Sequence, residues 1–201
     1  CIFCYLHTVL FLKTVILSDK TETNKEHMKR QHAKLIRAMI EYDAGDVQRI
    51  QHLLKVHNLA ATIGTLEKMD EENLFILESA AIVHDIGIHL SEQKYGSSDG
   101  KHQEQEGPAE ARKLLEQIGG YTPAQIERIC WLVGHHHTFK NITEADHQIL
   151  IEADFLVNID EDRIPKEHLE IIREKIFRTE TGRYLLHCIY EKTYCPIKNE
   201  A

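Results

Sequence analysis

The chain has 201 residues, 42% of them hydrophobic and 28% charged, so it is long and apolar enough for one globular domain with a sizeable core. Its formal net charge is −8 and it has no block of lysine and arginine. An extended nucleic-acid surface is therefore not expected, because such a surface needs a basic face. A small phosphorylated ligand is still compatible with this charge, since it needs only a local positive site.

Cysteines and histidines give two further indications. The five cysteines are scattered along the chain in an odd number and show no disulfide framework, which predicts a protein of the reducing cytoplasm. Histidine is unusually frequent, with 14 copies, and several lie inside apolar segments. Because histidine is the commonest metal ligand but also an ordinary surface residue, the position of each one must decide its role.

The first nineteen residues, CIFCYLHTVLFLKTVILSD, are apolar and β-branched. They could form a short membrane anchor, but the run is at the lower limit for a membrane span and is interrupted by His7 and Lys13. It also lacks a basic leading region and a small-residue cleavage site. Membrane attachment is thus not expected. We expect the domain to begin near Met28, where an amphipathic segment starts, and residues 1–27 to be an extension outside the native domain.

From residue 28 the pattern predicts one helix after another. Apolar residues recur at helical spacing over residues 28–42, and Asp46 can cap a second helix with a continuous apolar face. Residues 72–86 are apolar almost all round, as in a fully buried helix, and Gly87 follows as a stop signal.

The next segment, residues 88–106, is polar and rich in glycine and serine, which predicts a long loop. Pro108 then marks the start of a helix that ends at residues 119–120. Thr122 and Gln125 have the spacing of a capping box, and the helix that they open runs up to the GHHH segment.

Three more helices are predicted, over about residues 146–159, from Pro165 onward and over about residues 182–192. No alternating strand pattern competes with this interpretation. The predicted fold is an all-α, single-domain helical bundle over residues 28–195.

Several polar residues fall on the predicted inward faces of these helices. His52 shares a stripe with Val56 and Ile63, and His84 and Asp85 stand at the end of the buried helix. Asp154, His102 and the three histidines at 135–137 lie beside apolar positions or next to the polar segment. Each one alone could be a hydrogen-bonded core residue, a cap or a solvated surface group.

Taken together, the inward residues favour a metal site. A buried aspartate needs a compensating positive charge, and Arg49 is the one candidate among nearby basic residues. A divalent cation would satisfy Asp85, Asp154 and the imidazoles at the same time. Mixed histidine and carboxylate ligands suit Fe, Mn, Zn, Co or Ni.

Five short motifs carry these residues in a fixed order over about residues 45–160. They are RIQHLLKVHNLAATIG, AAIVHDIG, HQEQEGPAEARKLL, LVGHHH and IEADFL. In this order and helical context they resemble the motifs of the HD superfamily of metal-dependent phosphohydrolases. A His-Asp pair alone carries no information, whereas five ordered motifs are specific.

The resemblance implies an all-helical HD-type fold and a divalent metal ion. The residues that match the ligand positions for this first ion are His52, His84, Asp85 and Asp154. In relatives that hold two ions, the aspartate equivalent to Asp85 bridges them and three further histidines are added. One or two ions are therefore expected.

Two of the added histidines match His136 and His137, which lie three and four residues after the apolar Val133. Because three histidines follow one another, His135 remains an alternative for either position.

The third added histidine matches His102. Here the sequence departs from the family, because four residues rather than three separate His102 from Gly107. Glu104 or Glu106 could therefore take the place of His102.

A divalent metal ion would lower the pKa of a bound water, which could then attack a phosphorus atom. Asp85 would ligate the ion, position this water and accept its proton. The expected function is therefore hydrolysis of a phosphate ester of a small nucleotide or phosphorylated metabolite.

Three alternatives remain at this point. The first is a cyclic-nucleotide or cyclic-dinucleotide phosphodiesterase, although the HHExxDGxGYP pattern of one such group is missing after His137. The second is a signalling module that binds metal without turnover. The third is a di-iron oxygenase of the same fold, for which a coloured, oxygen-sensitive protein would be the sign.

Overall fold

The computed structural model describes residues 24–192, and within them the chain is helical and contains no strand. The predicted all-α fold is confirmed. The elements are α1 (residues 24–42), α2 (Val47–Leu66), α3 (Glu71–Val83), α4 (Ile88–Tyr95), α5 (Gly100–Ile118), α6 (Pro123–Val133), α7 (Ala145–Glu161), a 3₁₀ turn (Lys166–His168), α8 (Leu169–Ile176), α9 (Glu180–Leu186) and a π-helical turn (His187–Glu191).

The sequence predicts a domain that begins near Met28 and ends at residue 195. Helix α1 already begins at residue 24 rather than at residue 28. Residues 1–23 of the expected extension, and the expected end of the domain at residue 195, lie outside the described residues.

Helix α3 is the centre of the bundle and packs against α2, α6 and α7. The helix begins where the Asp70 side chain accepts a hydrogen bond from the Asn73 amide, and all residues from 79 to 83 are buried. The stretch Glu71–Tyr95 is long and apolar enough to cross a membrane, but 67% of its most apolar 18-residue segment is buried inside the bundle. Core helices have the same composition, so the apolar run is explained by packing.

The loop predicted over residues 88–106 is wrong, because α4 and the start of α5 occupy most of it. Asp99 caps α5 by accepting a hydrogen bond from the Lys101 amide at 3.0 Å. Many polar residues of both helices are exposed, so the composition of this segment resembles that of a loop; they are Glu92, Gln93, Lys94, Lys101 and Gln105. The helix start predicted at Pro108 is also wrong, since this proline lies inside α5. Packing against α4 and α6 offsets the one backbone hydrogen bond that proline cannot donate.

The remaining predicted boundaries differ from the structure by a few residues. Thr122 and Gln125 form the predicted capping box in full. Asp46 caps α2 by accepting from the Arg49 amide at 3.0 Å. The last helix, predicted over residues 182–192, is instead α9 followed by the π-helical turn.

Gly87, between α3 and α4, allows a close approach of α5. A methyl group added at this glycine would lie 2.7 Å from the Gln103 carbonyl oxygen and 2.8 Å from the Gly107 backbone nitrogen. Both are backbone atoms, which cannot rotate away. The backbone of α5 therefore touches the chain two residues after Asp85, and this contact fixes the turn that carries the His-Asp pair.

We predict that Gly87→Ala lowers the free energy of unfolding by about 1–3 kcal/mol, because the added methyl group overpacks this contact. Thermal unfolding measured by circular dichroism would show a Tm several degrees lower. Without the contact, alanine would stabilise a helical position by about 1 kcal/mol relative to glycine. A variant at least as stable as the wild type would therefore contradict the close approach.

Gly96→Ala, at the other end of α4, is the matched control. Gly96 has a φ of 65° and no atom within 4 Å of an added methyl group. This substitution carries only the backbone cost of the left-handed conformation, about 1 kcal/mol.

Candidate metal centre

Three helices bring four of the predicted ligands to one point. His52 comes from α2, His84 and Asp85 follow the end of α3, and Asp154 comes from the middle of α7. His52, His84 and Asp154 are buried, whereas the Asp85 side chain keeps 25% of its surface exposed. Asp85 is therefore the ligand candidate that solvent or a substrate can reach.

The donor atoms of these four residues surround one position. His52 Nε2 lies 3.1 Å from His84 Nε2 and 3.2 Å from Asp154 Oδ1. Asp85 Oδ2 lies 3.5 Å from each of the same two imidazole nitrogens. Ligands bound at about 2.1 Å to one ion are separated by similar distances, so the four atoms form a cage of the right size for a divalent metal.

The hydrogen bonds of the outer ring nitrogens show which atoms are free to bind an ion. His52 Nδ1 lies 2.8 Å from a carboxylate oxygen of Glu161, and His84 Nδ1 lies 2.9 Å from the Ala81 carbonyl oxygen. Both partners only accept, so each Nδ1 carries a proton and each neutral ring presents its Nε2 lone pair to the cage. When both rings are neutral, their Nε2 lone pairs face each other at 3.1 Å beside two carboxylates, and this arrangement requires a cation, either a proton or a metal ion, between them.

Asp85 also faces a second group of candidate ligands. Its other oxygen, Oδ1, lies 3.4 Å from Nε2 of the buried His136, and donor atoms of Asp85, His136 and His137 lie within 4.8 Å of one another. His136 Nδ1 is 2.7 Å from the Val133 carbonyl oxygen, so its Nε2 is again the free lone pair. Within residues 24–192 this buried Nε2 makes no hydrogen bond, so its lone pair is available to a cation.

His102 and His135 lie outside both groups. The His102 ring stacks on Tyr95 with 4.0 Å between ring centroids, and the His135 ring stacks on Trp131 at 4.1 Å. His135 Nδ1 lies 2.7 Å from the Trp131 carbonyl oxygen. The structure thus brings together six of the seven predicted metal ligands and leaves His102 apart.

The two glutamates that could replace His102 are engaged elsewhere. Glu104 Oε1 accepts hydrogen bonds from the His137 amide at 2.9 Å and from the Thr138 hydroxyl at 3.0 Å. Glu106 accepts from the Tyr95 hydroxyl at 2.7 Å and pairs with Lys94. Glu104 therefore binds the backbone of His137, in the second group, and Glu106 binds the side chains of Tyr95 and Lys94.

Without an ion, protons compensate the charge of the two carboxylates. Burial opposes protonation of His52, but hydrogen bonding to Asp154 and the charge of Asp85 raise its pKa to about 9. Burial likewise opposes ionisation of Asp85 and Asp154, yet the neighbouring imidazoles hold both pKa values well below the usual range. Burial and the adjacent His136 lower the pKa of His137 to about 4. His137 is therefore neutral at physiological pH and available as a ligand.

Glu161 is a site residue that the sequence reasoning missed. It binds His52 Nδ1 through Oε2 and Lys55 through Oε1, each at 2.8 Å. A carboxylate behind a histidine fixes the ring orientation and makes its free nitrogen a better metal ligand. The signal was present in the spacing, because Glu161 lies seven residues, or two helical turns, after Asp154 on the same face of α7.

An open cleft of about 310 Å³ leads to Asp85 and His52. Among the described residues that line it, Arg49 is the one lysine or arginine, and Ile88 is the one apolar side chain. The Arg49 guanidinium is held by Glu92, by Asp46 and by His89, whose Nδ1 lies 3.0 Å from Nη1.

The same hydrogen bonds assign the His89 tautomer. Arginine only donates, so His89 Nδ1 accepts from Arg49 and His89 Nε2 donates to Asp43 at 2.9 Å. This Asp-His-Arg chain places one fixed positive charge at the cleft beside the candidate metal ligands.

Two solved structures resemble this chain. One solved structure is that of a predicted HD superfamily hydrolase from an uncultured Thermotogales bacterium. It is 26% identical to this chain with a TM-score of 0.55, and the alignment covers 80% of this chain and 84% of that one. Another is YpgQ of Bacillus subtilis, with 19% identity, a TM-score of 0.58, and coverage of 82% and 89%. No curated protein matched the chain significantly.

The sequence model of the HD domain matches residues 49–176, which is more than half of the chain. This range includes all of the candidate metal ligands named above. The resemblance drawn from the five motifs is thereby confirmed, and the chain belongs to the HD domain family.

Proposed function

We propose that the protein is a metal-dependent phosphohydrolase that cleaves a phosphate ester of a small nucleotide or phosphorylated metabolite. The observation that carries the proposal is a cage in which two imidazole nitrogens lie 3.1 Å apart and each lies 3.2–3.6 Å from an oxygen of both carboxylates, open to a cleft on the Asp85 side. Membership of the HD domain family and the hydrolase prediction made for the Thermotogales relative support the same general chemistry.

In the proposed enzyme, His52, His84, Asp85 and Asp154 hold one divalent transition metal ion. Asp85, His136 and His137 contribute to a second one. When bound, such an ion lowers the pKa of a water ligand and neutralises charge on the phosphate oxygens.

Asp85 is the proposed catalytic residue. Its carboxylate is ionised at neutral pH and faces both ligand groups, and it is the acidic ligand with a side chain exposed to the cleft. It can orient a water molecule and accept a proton from it. Asp154 lies equally close to the imidazoles, but its 5% side-chain exposure limits it to binding the ion.

Arg49 is the proposed contact for the substrate phosphate. Its guanidinium lines the cleft with His52 and Asp85, and arginine recognises phosphate through paired hydrogen bonds. The cleft volume and its polar lining suit a small charged molecule rather than a polymer.

The proposed compartment is the cytoplasm. Cys130 and Cys188 are free thiols in the described part of the chain, and the protein has no block of basic residues for a nucleic-acid partner. A small phosphorylated substrate is therefore the proposed partner.

We predict that Asp85→Asn lowers kcat of metal-dependent phosphatase activity by about three orders of magnitude or more, because it removes both a charged ligand and the proton acceptor. Activity would be measured on a panel of nucleoside monophosphates and sugar phosphates with Mn²⁺, Co²⁺ or Zn²⁺. Circular dichroism should show unchanged helicity. Full activity in this variant would refute the mechanism.

Asp160→Asn is the control for this substitution. Asp160 is an exposed residue of α7 and lies outside the cleft. If the wild type binds metal but hydrolyses none of the panel, we would conclude that the protein is a metal-binding signalling module without turnover and not an enzyme.

We predict that His136→Gln binds one metal ion fewer per chain than the wild type, because its Nε2 is the free lone pair of the second group. Metal content would be measured by elemental analysis after chelator-free purification. His135→Gln is the matched control, since this neighbouring histidine stacks on Trp131 outside both groups. Equal metal content in the wild type and His136→Gln would favour a single ion.

We predict that Glu161→Gln weakens metal binding by about 10–100-fold, because it removes the carboxylate that orients His52. Competition with a chromophoric chelator would measure the affinity, with Asp160→Asn again as the control. An unchanged affinity would show that His52 needs no support from Glu161.

A further inference from the structure

A second cluster of metal-ligating side chains lies outside the centre described above. His32 of α1, His57 of α2 and Glu78 of α3 place three donor atoms within 4.8 Å of one another. Glu78 Oε2 lies 3.2 Å from His32 Nδ1 and 3.1 Å from His57 Nε2. His57 lies within the first of the five motifs, but none of the three residues belongs to the ligand groups around Asp85.

The orientation of His32 is fixed by its surroundings. Its ring stacks on Phe75 with 4.8 Å between ring centroids, and its Nε2 lies 3.2 Å from the Phe75 carbonyl oxygen. Because a carbonyl only accepts, Nε2 carries a proton, and the neutral ring aims its Nδ1 lone pair at the Glu78 carboxylate. A lone pair and a carboxylate oxygen at 3.2 Å attract each other only when a cation, either a proton or a metal ion, lies between them.

The donor set is one that zinc uses. Two histidines and one glutamate are a known three-ligand zinc set that leaves a fourth position for water, with bonds of about 2.0–2.2 Å. Separations of 3.1 and 3.2 Å are close to those between neighbouring ligands of such an ion. The three side chains keep only 10–19% of their surface exposed, so bulk water does not screen them fully.

Solvent can nevertheless reach the cluster. His32 and Glu78 line a cavity of about 230 Å³ between α1 and α3. An ion can therefore enter and leave without unfolding of the bundle.

We propose that His32, His57 and Glu78 bind a Zn²⁺ ion that joins α1, α2 and α3. The ion would act by stabilising the fold, because it links the N-terminal helix of the described structure to the two helices that carry His52, His84 and Asp85. This site is independent of the proposed phosphohydrolase activity and does not rest on it.

The test uses the full chain, stripped of metal with a chelator and titrated with Zn²⁺ against a chromophoric competitor. His57→Gln should bind one equivalent of Zn²⁺ fewer than the wild type. His187→Gln should bind the same number as the wild type. His187 is the matched control because it makes a similar histidine–glutamate pair, at 2.9 Å to Glu191, without a third ligand.

Thermal unfolding gives a second measurement. At a Zn²⁺ concentration one hundred times the dissociation constant, binding should raise the Tm by about 5–10 °C, and this contribution should be lost in His57→Gln. Glu78→Gln, which keeps the side-chain shape, provides an independent variant if His57→Gln does not fold.

The outcomes separate this proposal from the function proposed above. Loss of one Zn²⁺ equivalent in both His57→Gln and Glu78→Gln supports the new site, whatever the activity of the protein. Wild-type stoichiometry in either folded variant overturns it and leaves a protonated histidine–glutamate pair. A protein inactive on all phosphate esters would bear on the proposed function alone.

Discussion

The candidate metal centre depends on the directions of three imidazole rings. In His52, His84 and His136 the Nδ1 atom is bound to an oxygen that can only accept, so every neutral ring turns its Nε2 lone pair inward. Such an arrangement is costly in an apolar core unless a cation fills it. The rest of the bundle holds these rings in place, because α3 is buried between α2, α6 and α7, which deliver the other ligands.

The backbone takes part in this arrangement through two helix ends. His84 follows α3 and His136 lies just beyond α6, and each ring hydrogen-bonds to a carbonyl oxygen near the end of its own helix. Carbonyl groups at a helix C-terminus carry a partial negative charge. The C-terminal ends of α3 and α6 therefore add to the negative electrostatic potential of Asp85 and Asp154, and they favour a cation at the candidate metal centre before any ligand bond forms.

The fold class and the inward positions of His52 and Asp154 could be predicted from the sequence for a definite reason. Burial leaves a strong periodic signal, so the inward positions of His52 and Asp154 could be seen from their apolar neighbours. The segment from 88 to 106 has the composition of a loop although it is mostly helical, because exposed helices such as α4 carry polar residues, which give little periodic contrast. His102 stacks on Tyr95, seven positions away in another helix, and the Asp-His-Arg chain behind Arg49 joins residues 40 and 46 positions apart. Spacing along one helix does not encode such contacts.

The two oxygens of Asp85 have a thermodynamic consequence. Because Oδ2 faces His52 and His84 while Oδ1 faces His136, one carboxylate is common to both ligand groups. An ion in the first group would orient the Asp85 carboxylate for the second group, so the conformational entropy of this side chain would be lost only once. The binding free energies of the two positions are then coupled, and by reciprocity each ion changes the affinity for the other by the same factor. The sign of this coupling depends on whether the shared ordering of Asp85 outweighs the repulsion between two divalent ions.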